Sequence, residues 1–315
     1  MVSADSDVAT RHPLACRGDV ARLAALVAGG AAALIAPGRW DPAISKILFR
    51  LLIRTAPHKI DRVAEHMSAV LPASKLQDPR AAAEEHYRMR LEDGWGRVRG
   101  MRRHGWQPRI EMEGLERVRE GLSRNRGVVL WSMRFSSATA IKQGFHRSGV
   151  PLVHLSNRSH GAPCTSELGV RVVAPMHCRA ENPYLAERVQ IPNDGSLAYL
   201  IRLREHLRSN AVVSVFGEHH GRQNQAVLVL GRRRQFARGA PSLAWMEGSA
   251  LFTVCAVRMG PFHYKVIVGD EIEVNTDTPR REFADQAVTE YARRLEGLIK
   301  DHPADWQGWS SDDDR

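Results

Sequence analysis

The residues best able to do chemistry gather in two places along the chain. At positions 216–220, Phe216, Gly217, Glu218, His219 and His220 close an apolar run, so a carboxylate stands beside two imidazoles where a strand gives way to a loop. Imidazole can take or give a proton near neutrality, and a neighbouring acid can hold the ring in place. Adjacent histidines after a strand are more often loop residues than bases, and the same weighing applies to His154 and His160. The second gathering is Gly231, Arg232, Arg233 and Arg234, followed by Phe236, Arg238 and Gly239, the densest basic cluster of the sequence. Grouped guanidiniums suit bidentate binding of phosphate, on a lipid headgroup or a carrier prosthetic group, although three adjacent arginines also make an ordinary solvated loop. Cys16, Cys164, Cys178 and Cys255 show no CxxC and no metal-ligand spacing. Neither a disulfide framework nor a metal site is indicated, and a reducing cytosol fits that usage.

These side chains need a scaffold, and 315 residues with 43% hydrophobic content can bury a substantial core. The net charge of +10 favours polyanions, but arginine dominates it, and an arginine-rich coding composition accounts for such an excess equally well. Position must therefore decide the partner. Short apolar, β-branched runs at 127–131 (GVVLW), 151–155 (PLVHL), 211–216 (AVVSVF), 251–257 (LFTVCAV) and 264–268 (YKVIV) predict strands, with helices at 136–148, 195–209 and 241–248 between them. That alternation predicts an α/β fold, a mostly parallel central sheet flanked by helices, whose ligands bind beyond the carboxyl ends of the strands.

The first 120 residues read as a helical N-terminal region and 121–310 as the α/β core, the two forming one integrated domain. The apolar stretch 20–36 contains Arg22 and two glycines and falls short of the roughly 20 residues a spanning helix needs, so it reads as a buried or membrane-adjacent helix. A signal peptide competes with that reading, against which Asp5, Asp7 and Asp19 occupy the region a basic leader would need. In 44–54, Ile44, Ile47, Leu48, Leu51 and Leu52 recur at helical spacing while Lys46, Arg50 and Arg54 stack on the other side. Such a cationic amphipathic helix suits a membrane interface or, equally, packs on the core as a surface helix. A further helix over 78–103 is weakened by Gly94, Gly96 and Gly100.

Taken in order, the segments at the strand ends resemble the lysophospholipid acyltransferase superfamily, and within it the lipid A biosynthesis lauroyl/myristoyl acyltransferases. A helical N-terminal region is followed by GVVLWSMRFSSATAIKQGFHRSGVPLVHLSNR, GSLAYLIRLREHLRSNAVVSVFGEHHG, FARGAPSLAWMEGSALFTVCAVR and HPADWQGW, covering most of the chain from about residue 127 onward. The resemblance implies transfer of a fatty acyl group from an acyl carrier protein or coenzyme A thioester to a lipid, glycolipid or specialised-metabolite acceptor. No metal and no cofactor beyond that thioester co-substrate is implied. It also implies a peripheral location at the cytoplasmic face of the inner membrane, with an acidic carrier and an anionic membrane surface as partners. Nucleic acid is not expected, because no basic helix or aromatic stacking platform accompanies the arginine run.

In that family a histidine at the end of the first strand is followed five positions later by Asp or Glu, the imidazole serving as general base and the carboxylate orienting it. Aligned on Phe135, this chain has Arg134 and Thr139 at those two positions. A guanidinium stays protonated, and a threonine supplies no negative charge. No histidine of the chain is followed five positions on by an acid. Arg158 matches the family's arginine after the second strand, which resembles residues that hold acceptor phosphates, and also reads as a plain surface arginine. Glu218 stands where the superfamily has a Glu-containing acceptor-binding turn, and Arg232, Arg233, Arg234 and Arg238 lead into a helix that lines the site in the family. Two functional readings follow. One is an acyltransferase with a substitute base, His219 or His220 beside Glu218, or one relying on oxyanion stabilisation by Arg134. The other is a catalytically degenerate member that binds lipid, acyl chain or a partner enzyme without turnover. On the first reading, introducing Arg134→His with Thr139→Glu is expected to raise activity.

Overall fold

The structure, a computed structural model, describes residues 13–102, 105–160, 166–192, 195–218 and 223–310. Helices come first: α1 (Arg17–Ile35), α2 (Asp41–Thr55), α3 (Pro57–Val70) and α4 (Pro79–Gly100). Then β1 (Arg109–Glu113), α5 (Leu115–Ser123), β2 (Val128–Ser132), α6 (Ala138–Arg147), β3 (Leu152–Ser156), α7 (Ala174–Glu181) and β4 (Leu185–Gln190) follow. The chain continues through α8 (Ala198–Arg208), β5 (Val212–Phe216), β6 (Asn224–Val229), β7 (Arg232–Ala237), α9 (Gly239–Glu247), β8 (Ala250–Gly260), β9 (His263–Glu271) and α10 (Arg280–Asp301).

Seven strands form one sheet in the order β1-β9-β8-β2-β5-β3-β4. Every neighbouring pair is parallel except β8 with β9, which run antiparallel through a tight turn at Pro261 and Phe262. The α/β class and the mostly parallel sheet are thus as the alternation of elements predicts. Side-chain alternation along β2 explains why its sequence is apolar throughout. Val129 and Trp131 enter a core with Leu203 and Leu207 of α8, Leu243 and Ala244 of α9, and Tyr291 and Leu295 of α10. Val128 and Leu130 enter the opposite core with Val118 of α5 and Ile141 and Phe145 of α6. Both sheet faces are covered, so the open end for a ligand is the carboxyl edge of β2, β5 and β3.

The five expected strands and three expected helices are all present, and the two edge strands and a β-hairpin are added to them. Edge strand β1 (RIEME) carries charge at alternate positions and β4 (LAERVQ) an adjacent Glu–Arg pair at its centre, so both lack the apolar runs by which strands were sought. β1 lies within the segment read as helical and pairs with β9. The arginine run is the second strand of a hairpin, β6 with β7, joined at Leu230 and Gly231. Both turn residues are left-handed, at φ 51 and 73, the geometry a two-residue hairpin turn with the natural strand twist requires. The helix over 78–103 forms as α4 despite its glycines, two of which serve close packing: a Cβ at Gly96 would fall 2.6 Å from the Trp106 ring, and one at Gly100 would fall 3.1 Å from the Ala180 Cβ.

Among the described residues no helix is long and apolar enough to cross a membrane. α1 packs on α4 through Leu26 and Ala33 against Trp95 and Val98. In α2 the core side is carried by Ser45 and Phe49, while Ile47 and Leu51 point outward with exposures of 61% and 56%. The expectation that Ile47 and Leu51 lie on the side opposite Lys46, Arg50 and Arg54 is corrected accordingly. They share the outer face with the exposed Lys46, Arg50 and Arg54. Cys178 and Cys255 are free and buried, whereas Cys16 is disulfide-bonded to a partner outside the described residues, a crosslink the cysteine spacing did not indicate.

Candidate functional site

β2 ends at Ser132 and the chain turns through Arg134 into α6, whose N-cap is Ser137, its hydroxyl accepting from the Ala140 N–H at 3.2 Å. β5 lies beside β2 and ends at Phe216, so its exit loop meets the exit loop of β2. Gly217 permits the meeting: a Cβ there would fall 2.5 Å from both the Trp131 indole nitrogen and the Tyr291 ring. Glu218 then reaches across, accepting from the Arg134 backbone N–H at 2.7 Å and from the Trp306 indole N–H at 2.9 Å. The C-terminal segment closes the same place. Gln307 N–H donates to the Arg134 carbonyl at 2.9 Å, and Ser136 donates to Asp305 at 2.7 Å. Burial pushes the Asp305 carboxyl up, against the opposing hydrogen bonds from Ser136 and the Arg258 N–H. Arg234 of β7 stacks over Trp306, 4.6 Å from guanidinium carbon to ring centroid.

Four of the segments singled out in the sequence therefore converge on residue 134. Glu218 is there, but as a brace, with each carboxylate oxygen already bonded. His219 and His220 lie outside the described residues. Arg158 is exposed in the turn after β3, and Arg232 and Arg233 are exposed on the hairpin. Arg238 is engaged with Asp285 and with the Asn224 carbonyl at 2.7 Å. The structure thus brings Arg134, Glu218 and Arg234 together and leaves Arg158, Arg232, Arg233 and Arg238 elsewhere on the surface or in ion pairs. The Arg134 guanidinium makes no hydrogen bond or ion pair with a described residue.

Arg134 has cationic company that sequence spacing did not reveal. Burial, then Arg97 and Arg90, hold the Arg22 guanidinium of α1 below its ordinary range. Burial, then Arg97, with a smaller contribution from Arg134, does the same to Arg90. Arg22, Arg90 and Arg97 of α1 and α4 thus repel one another, and Arg134 at the β2 exit joins them through Arg90. Asp93 compensates in part, pairing with Arg97 at 3.0 Å and accepting from the Ser137 hydroxyl at 2.7 Å. His177 lies alongside, both ring nitrogens buried without a partner among the described residues, its pKa pushed down to about 3 by burial and then by Arg97 and Arg22.

A second polar cluster sits under α6, on the face carrying Ser132, Ser214 and His154. Its centre is Glu181, the last residue of α7. Its carboxylate receives the Lys142 ammonium of α6, the Arg188 guanidinium of β4 at 2.8 Å, the His160 Nε2 at 2.9 Å and the Thr139 hydroxyl at 3.5 Å. Burial alone would raise the Glu181 carboxyl, but Lys142, His160 and Arg188 hold it well below the usual range. Burial lowers Lys142, with Glu181 opposing and Arg188 assisting. Burial lowers His160 too, against the pull of Glu181. Burial, then Lys142, pushes His154 well below its ordinary value. A serine ladder links the cluster to the central strand: His154 Nδ1 to Ser214 Oγ at 3.4 Å, and Ser214 Oγ to Ser132 Oγ at 3.1 Å.

No motif pointed to this cluster, because its members lie on four elements with no recurring interval. The signals available were His154 and His160, weighed singly as histidines, and Thr139, which the resemblance placed at the carboxylate position of the dyad and which touches Glu181. Among the described residues no group of His, Cys, Asp and Glu is arranged to hold a metal ion. Comparison with models of known protein families finds no match, and neither does comparison with curated proteins.

Proposed function

We propose that the chain is an acyltransferase that moves a fatty acyl group from an acyl carrier protein or coenzyme A thioester to the hydroxyl or amine of a lipid, glycolipid or specialised-metabolite acceptor. One observation carries the reading: the β2 exit, the β5 exit, β7 and the C-terminal segment, each assigned to the resemblance separately, meet at Arg134 at the carboxyl edge of the sheet. Chemically, the acceptor oxygen bonds to the thioester carbonyl carbon, the carbon–sulfur bond breaks, and the acceptor proton ends on the departing thiol. Arg134 contributes donors toward the carbonyl oxygen as it becomes anionic, a role open to a guanidinium that has no hydrogen-bond or ion-pair partner among the described residues. Arg22, Arg90 and Arg97 beside it favour an anionic group, as on a phosphorylated acceptor or the phosphopantetheine arm of the donor. The expected result with purified protein and labelled donor is a transfer rate that falls roughly 100- to 1000-fold in Arg134→Ala. Equal rates in the two proteins contradict the role given to Arg134.

The second reading, a lipid or partner-binding relative without turnover, is favoured by the occupation of both Glu218 oxygens, which leaves that acid no catalytic duty. Tight lipid binding with no transfer to any acceptor selects it.

A peripheral position on an anionic membrane, at the cytoplasmic face of the inner membrane, belongs to the same proposal. Its support is the outer face of α2, where Ile47 and Leu51 lie among Lys46, Arg50 and Arg54, with Trp40 exposed just before the helix. Ile47→Asp or Leu51→Asp is expected to weaken sedimentation with anionic vesicles by about tenfold or more, since burying each such side chain is worth roughly 1.5–3 kcal/mol. Unchanged sedimentation removes α2 from the membrane contact.

A further inference from the structure

Resting on the acyltransferase reading, we infer that His160 is the general base of this chain and that Glu181 is its positioning carboxylate, an imidazole–acid pair rebuilt from the β3 exit and the end of α7. The usual pair is vacant here, with arginine and threonine at its two positions, so any base must come from elsewhere in the fold. Thr139, the residue at the carboxylate position, touches the Glu181 carboxylate at 3.5 Å, and that carboxylate accepts from His160 Nε2 at 2.9 Å. A negative charge has thus returned to the neighbourhood of position 139 from another helix, and with it an imidazole.

The geometry fixes roles within the pair. Because Nε2 donates to Glu181, the neutral ring carries its lone pair on Nδ1, the atom able to accept a proton. His160 also keeps 18% of its side chain exposed, whereas Glu181 and Lys142 keep 4% and 2%, so the imidazole is the member of the cluster that a substrate can reach. Burial keeps His160 below its ordinary value, so the ring is the neutral, basic form near neutrality. Glu181 then stabilises the imidazolium that forms.

Beside the pair lie polar atoms without partners among the described residues: Arg188 Nη1, His154 Nε2 and Ser156 Oγ, all buried. His154 and Arg188 are register partners on β3 and β4, and Ser156 ends β3, so the three unsatisfied groups are neighbours. Buried polar atoms are nearly always paired, and a local group of exceptions marks a place where a polar ligand belongs. In the step inferred, His160 Nδ1 removes the acceptor hydroxyl proton as the oxygen bonds to the thioester carbonyl carbon. Collapse of the tetrahedral adduct breaks the carbon–sulfur bond, and the imidazolium returns its proton to the leaving thiolate. One thioester and one alcohol become one ester and one thiol, and His160 ends neutral.

The pair also revises the restoration of the dyad at 134 and 139. Thr139→Glu would set a second carboxylate against Glu181 in a buried site, where like charges raise each other's pKa. That substitution is expected to disturb the existing pair instead of completing a new one.

The test uses the full chain with acyl carrier protein thioester as donor. His160→Gln retains an amide donor for Glu181 but no base, so its kcat is expected to fall about 100- to 10,000-fold with KM little changed, and His160→Gly is expected to regain activity when imidazole is added. A His160→Gln rate within about threefold of wild type overturns the inference while leaving the acyltransferase reading standing. Loss in both variants without imidazole rescue marks a structural role and also overturns it. Should the variants fail to fold, the wild-type pH profile decides: kcat/KM must show an acid limb whose midpoint lies below the ordinary imidazole value of about 6.5, and a profile with no acid limb overturns the inference. A wild type that transfers nothing removes the acyltransferase reading, and the inference falls with it.

Discussion

Replacing Glu181 with alanine is expected to destabilise the fold by about 3–5 kcal/mol, read as a lowered midpoint of urea unfolding with unchanged slope. Among the described residues, Glu181 is the single carboxylate paired with the Lys142 ammonium and the Arg188 guanidinium, both buried with it. Removing the acid leaves those cations in a medium that solvates them poorly, and the penalty is theirs more than the loss of an attraction. Burial already holds the Lys142 ammonium below its ordinary range, with Glu181 opposing and Arg188 assisting. Lys142 is therefore the group that relieves the strain, by releasing its proton. Adding Lys142→Met to Glu181→Ala is accordingly expected to recover part of the lost stability, because one uncompensated cation goes with it. A Glu181→Ala protein within about 1 kcal/mol of wild type would show that water reaches the cluster and that Glu181 is not its electrostatic centre.

Acidification from about pH 7.5 to about pH 5 is expected to lower stability steeply, by up to about 1.4 kcal/mol per pH unit for each histidine that is buried neutral. His86 and His177 are both pushed down to about 3, by burial and then by nearby arginines, and His154 is pushed well below its ordinary value by burial and then Lys142. His86 is held at both ring nitrogens, against the Ala304 carbonyl at 2.9 Å and Ser310 at 3.1 Å. Each of these groups has a folded pKa below its unfolded value of 6.5. Their favourable contribution is therefore present above 6.5 and is lost as the pH falls toward about 3, because only the unfolded chain takes up the protons. Glu181, whose folded pKa is also depressed, adds its own loss only below about pH 4.5. Thermal melts across that range, with proton uptake measured on unfolding, check the prediction. A melting temperature that is flat between about pH 7 and pH 5 would mean that these imidazoles are protonated in the folded state or reach solvent.

How far the sequence discloses this molecule depends on what each residue is asked to do. The central strands β2, β5 and β8 are buried on both faces, so their runs of Val, Leu and Phe announce them. β1 and β4 lie at the two edges of the sheet, where half the side chains meet water, and RIEME and LAERVQ carry no comparable signal. Arg232, Arg233 and Arg234 were legible as a cluster but not as a strand, because the left-handed turn at Leu230 and Gly231 is carried at Leu230 by a residue that rarely adopts it. For the site, the ordered segments led to Arg134 and Glu218, since both follow strands and strand ends converge. His160 was legible only as a loop histidine and Glu181 not at all, for a physical reason: the turn after β3 and the end of α7 are brought together by tertiary packing, and no spacing encodes that meeting. The arginines of α4 were hidden in the same way, since Arg90 and Arg97 acquire meaning only when α1 and the β2 exit are brought against them.

The measurement that bears most directly on the account is a single-turnover mixture of the wild-type protein, an acyl carrier protein thioester labelled in the acyl chain, and a lipid extract as acceptor. Label is expected to move to a lipid product, with one free thiol appearing for each label moved. Label that stays on the carrier, or leaves it only as free fatty acid, would contradict the acyltransferase reading.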